Sequence, residues 1–69
     1  MNGFAGVSDQ SLFAIMADAA ARRAERKHED LPVAAEETLR AAVEEFGIAA
    51  VRLPSRSELT LMASALAQA

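Results

Sequence analysis

Apolar residues recur along the first third of the chain in two rotated helical stripes rather than one. Leu12, Ile15, Met16 and Ala19 lie three or four positions apart and form one face of a helix. Phe13, Ala17, Ala20 and Ala24 repeat that spacing about 100° further round. Together the stripes exceed the face that an ordinary surface helix buries, and the small residues of the second allow another helix to come close. Ser8 is a good N-cap, Asp9 suits the positive end of the helix dipole, and Val7 with Leu12 has the spacing of a hydrophobic staple. The pattern predicts a helix over 9–27 that ends in basic residues, with residues 1–7 flexible ahead of it.

Beyond the polar stretch His28-Glu29-Asp30, Pro32 disfavours helix at Leu31 and opens a second helix over 32–46. Ala35, Leu39, Ala42, Val43 and Phe46 share its apolar face, and Glu36, Arg40 and Glu44 are spaced for ion pairs on the other. Gly47 is a stop signal, with Ile48 placed for the apolar contact that often follows. Residues 48–53 read as an extended connector closed by Pro54. Ser55 and Glu58 then have the spacing of a capping box, which opens a third helix over 56–67. Leu59, Met62, Ala63 and Leu66 line one side of it, while Leu61 and Ala65 lie opposite. Leu12, Met16, Leu39, Phe46, Leu59 and Met62 are the expected core.

These elements define one all-α domain over 1–69, a helical hairpin followed by a C-terminal helix. With 69 residues, 17 of them alanine, the larger side chains left for a core are few. Chains this short usually need a disulfide, a metal, exceptional packing or an oligomer. The absence of cysteine excludes the first and permits a reducing compartment, so the composition favours completion by self-association. Six arginines against one lysine, among so much alanine, suggest a GC-rich bacterial or phage genome. The amino terminus lacks the basic start and apolar run of a signal peptide, and Asp18 ends the longest apolar stretch. The expectation is a cytoplasmic protein that does not enter a membrane.

Candidate chemistry adds little. His28 with Glu25, Glu29 and Asp30 makes a drawable metal cluster, but a histidine near a helix C-terminus is favoured by the dipole alone, so the expected reading is a solvated turn. Ser8, Ser11, Ser55, Ser57 and Ser64 are possible nucleophiles, yet nothing brings the single histidine to any of them and Ser8 and Ser55 have capping roles. The three glycines are too dispersed for a phosphate loop. No enzymatic activity, metal or cofactor is expected.

Arg22, Arg23, Arg26 and Lys27 are the best candidates for phosphate contact, with Arg52 and Arg56 as extensions. The favoured alternative pairs them with Glu36 and Glu37 across an antiparallel hairpin, because exposed charge runs are usually paired or solvated. A net charge of −3 also argues against a general nucleic-acid coat. Phe46-Gly47-Ile48 has the apolar–glycine–apolar pattern of a helix-turn-helix turn, but residues 51–54 interrupt the point where a recognition helix should begin. The run Arg52-Leu53-Pro54-Ser55-Arg56-Ser57-Glu58-Leu59 resembles the segment that opens a helix in GntR-type winged-helix regulators. That resemblance covers eight residues and implies a helix start after Pro54; no function is carried over from it.

The expected function is that of a small, non-enzymatic helical interaction protein, regulatory or an assembly adaptor. It would act as a homo-oligomer or with a protein partner through Phe13, Ala17, Ala20, Ala24, Leu61 and Ala65. One alternative is a small DNA-binding transcriptional regulator that uses the basic end of the first helix. Another is a non-catalytic subunit of a larger enzyme complex.

Overall fold

The computed structural model describes residues 9–68, and among them every regular element is helical. Helix α1 is Asp9–Lys27, α2 is Leu31–Phe46 and α3 is Arg56–Gln68, with a short 3-10 turn, Ala50–Arg52, between α2 and α3. The Ser8 cap, the Val7–Leu12 staple and the flexibility expected of residues 1–7 lie outside the described residues.

Helix α1 closes on a left-handed residue. His28 has φ 53°, and the Glu29 N–H donates back to the Ala24 carbonyl at 3.1 Å, which satisfies one of the last orphan carbonyls. Asp30 is extended (φ −65°, ψ 147°), and its carbonyl accepts the Ala34 N–H at 3.0 Å. Helix α2 therefore starts at Leu31, one residue before the proline. Pro32 costs nothing in the first turn, where N–H groups have no intrahelical acceptor to lose. At the far end Gly47 (φ 68°) turns the chain, and the Gly47 and Ile48 N–H groups both donate to the Ala42 carbonyl.

The two left-handed positions predict opposite responses to substitution. No atom lies within 4 Å of a Cβ added at Gly47, so Gly47→Ala meets only the backbone penalty. That penalty is about 1–2 kcal/mol. His28→Gly removes the same penalty and adds about 0.5–1 kcal/mol of chain entropy, a net gain of up to roughly 1 kcal/mol. Urea denaturation should show stability falling in the first variant and rising in the second. Destabilisation by both would contradict the left-handed turn at His28.

The connector before α3 is not the extended segment that its alternating residues predict. Arg52 N–H donates to the Ala49 carbonyl at 2.9 Å and Leu53 N–H to the Ala50 carbonyl at 3.0 Å, which winds Ala50–Arg52 into a 3-10 turn. A lone strand would leave those groups without partners. Leu53 returns to extended geometry (φ −102°, ψ 153°), as a residue before proline should. The capping box then forms. Ser55 N–H donates to Glu58 Oε1 at 3.0 Å, and Glu58 N–H donates to Ser55 Oγ at 3.1 Å. The Ser55 backbone N–H, and after it the Ser55 hydroxyl, holds the Glu58 carboxyl below its ordinary pKa.

Packing explains where the two stripes of α1 go, for α1 contacts both α2 and α3. Leu12, Met16, Ala17, Ala35, Ala42, Ile48 and Leu59 form the buried cluster, with Phe13, Leu39, Leu53 and Met62 packed against it. Ala20, Ala34 and Ala63 are buried as well, and among the described residues Leu59 is the one large side chain that is fully enclosed. The interior is thus built mostly from alanine, which lets the helices sit close. Among the described residues, seven larger apolar residues lie outside it. Ile15, Val33, Val43, Phe46, Val51, Leu61 and Leu66 are all exposed. Phe46, expected in the core, is 61% exposed, because the turn at Gly47 sends Ile48 inward in its place. Among the described residues no helix is long and apolar enough to cross a membrane.

Candidate interaction surface

Two of the exposed apolar residues, Ile15 and Phe46, line a groove between α1 and α2. Its volume is about 340 Å3, with Leu12, Ile15, Met16 and Ala19 on one wall and Ala41, Ala42, Phe46 and Ile48 on the other. The lining draws Leu12 and Ile15 from the start of α1 and Phe46 from the end of α2, and Arg23 and Arg26 from the end of α1 with Glu37 from the first half of α2, as two antiparallel helices would supply it. Thr38 also lines the groove, but its hydroxyl donates to the Ala34 carbonyl at 2.8 Å and presents no unsatisfied group. Further hollows border α3, one of them against Asp18, Ala21, Arg22 and Glu25 of α1. A second is lined by Ala14, Ala17, Met62, Ala65 and Leu66, and a third by Pro32, Arg56, Ser57, Thr60 and Leu61.

The residues expected at an interface divide between inside and outside. Ala17 and Ala20, expected on an outward stripe, are completely buried. The stripe that carries them faces α3, so the chain itself covers what the sequence pattern leaves open. Phe13 is half-buried against the core and Ala24 is also half-buried. Leu61, 71% exposed, and Ala65 lie on the outside of α3. Ile15 and Phe46, neither of them among the residues expected at an interface, are exposed in the groove.

The basic end of α1 does not pair with Glu36 and Glu37. Arg22 Nε instead contacts Asp18 Oδ2 at 2.8 Å within its own helix, and Arg23 Nε contacts Glu29 Oε1 at 2.6 Å across the turn. Glu37 pairs with Arg40 at 3.1 Å, and Glu36 with Arg56 of α3 at 3.7 Å. The turn at His28 accounts for the difference, because it folds Glu29 back to Arg23 before α2 begins. Among the described residues Arg26 and Lys27 make no ion pair, nor do Glu44 and Glu45.

His28 is exposed in its turn, and among the described residues no three histidine, aspartate or glutamate side chains converge as metal ligands. No family model, curated protein or solved structure matches the chain.

Proposed function

We propose that this chain is a small, non-enzymatic helical interaction protein, a regulator or assembly adaptor of the cytoplasm, which works by seating apolar side chains against another protein. The observation that carries this reading is the exposure of large apolar side chains beside an interior in which, among the described residues, six of the ten buried apolar positions are alanine. Alanines fill the contacts among the helices, while Ile15 and Phe46 stand exposed at the mouth of one groove. Clustered exposed apolar residues rimmed by charge are characteristic of protein–protein contact. Duplex DNA is the weaker reading, since Asp18 and Glu29 already neutralise Arg22 and Arg23 and leave two of the four clustered cations uncompensated.

A photoreactive benzophenone side chain placed at Phe46, in the cells that naturally make the protein, tests the reading. The expected result is a discrete protein adduct, of any identity, that is lost when Ile15→Asp is introduced. The same group at the exposed Arg40 should give none. Absence of a protein adduct from position 46 would contradict the reading.

A further inference from the structure

We infer that the occupant of the α1–α2 groove is a second copy of this chain, laid face to face with its ends reversed. The inference rests on the interaction reading above and gives it a partner.

The argument is the distribution of uncompensated charge along the groove. Arg26 lines one end, with Lys27 beside it where α1 finishes. Glu45 stands four positions after the groove residue Ala41, and therefore on the same face, with Glu44 next to it where α2 finishes. Because the helices are antiparallel, these two helix ends lie at opposite ends of one groove. None of the four charges has an ion partner among the described residues. Of the charged residues that line the groove, Arg23 and Glu37 are paired and Arg26 is not. Among the described residues the face thus has an unpaired cation at one end, the unpaired Glu45 at the other and apolar residues between, while the unpaired Glu25 and Asp30 do not line it.

Such a face is complementary to itself. A two-fold axis in the plane of the groove mouth, perpendicular to the line from Arg26 to Glu45, places Arg26 of each copy over the partner's Glu45. Both pairs form at once, as an isologous contact requires. A uniformly acidic helix would answer only the basic end, and a uniformly basic one only the acidic end. Near the middle, Ala19 and Ala41 are small enough to let the two faces approach closely. A stable dimer buries about 800 Å2 per partner. That is roughly a sixth of the 4680 Å2 surface of the chain.

Sedimentation velocity on the wild type, Arg26→Glu, Glu45→Lys and an equimolar mixture of the two variants tests the inference. Both positions are exposed, so circular dichroism should show the helices retained. Wild type should dimerise. Each variant alone sets like charges opposite each other twice and should associate at least about tenfold more weakly. Mixed, each reversed charge meets the other, and affinity should return to within about threefold of wild type.

A wild type that keeps its single-chain mass at every concentration would overturn the second copy as occupant. So would a dimer indifferent to both reversals, or a mixture that is no tighter than its components. The cross-linking experiment separates these failures from that of the broader reading. An adduct of position 46 with a different protein would leave the interaction function standing without self-association.

Discussion

Replacing Leu59 with alanine should remove most of the stability of this protein. Leu59 is the largest fully buried side chain among the described residues, and near the start of α3 it belongs to the buried cluster with Leu12 and Met16 of α1, Ala35 and Ala42 of α2, and Ile48 of the connector. A buried leucine-to-alanine change costs about 2–5 kcal/mol, more where the cavity cannot collapse. Leu59 has no exposed surface, so the gap left by alanine opens inside the cluster and a loss within that range is expected. A chain of this length has roughly 3–10 kcal/mol in total. Leu61, two residues further on and 71% exposed, is the internal control. Leu61→Ala should change stability by about 0.5 kcal/mol or less. Urea denaturation of the two variants side by side checks the contrast, and equal effects would contradict the orientation of α3.

The second large effect runs in the other direction of size. Ala35 is completely buried within the same cluster. Ala35→Leu adds three carbons inside a cluster that already holds Leu12, Met16, Ile48 and Leu59. Overpacking of this kind typically costs about 1–3 kcal/mol. Ala65→Leu, on the outer side of α3, should stay within about 0.5 kcal/mol of wild type. Thermal unfolding monitored by circular dichroism gives both values. Tolerance of leucine at position 35 would mean that the helices are not held at alanine spacing.

The three-helix architecture was legible because its boundaries are carried by local chemistry. Gly47 adopts the left-handed geometry that its position as a stop requires, and Ser55 and Glu58 make both reciprocal bonds of the capping box. Each of those features needs only neighbouring residues. Packing direction is a different matter. Both stripes of α1 are apolar, and the residues alone do not say that α3 takes the one bearing Ala17 and Ala20. Nor does spacing foretell the His28 turn that diverts Glu29 to Arg23 and leaves Glu36 to Arg56. Phe46 illustrates the same limit. Periodicity assigns it to the core face, but the glycine after it redirects the chain, and Ile48 takes the buried place. Interior and surface alanines look alike in sequence, so the groove emerges only once the helices are placed.

Methyl-resolved NMR with a soluble paramagnetic agent, run over a dilution series, tests the central claim most directly. The account predicts that Leu12 and Leu59 methyls are shielded at every concentration, and that Leu61 and Val51 methyls are broadened at every concentration. Ile15 should change, broadened in dilute solution and shielded as the chain concentration rises and a second copy covers the groove. Broadened Leu59 methyls, or an Ile15 methyl that stays equally accessible from the most dilute sample to the most concentrated, would contradict it.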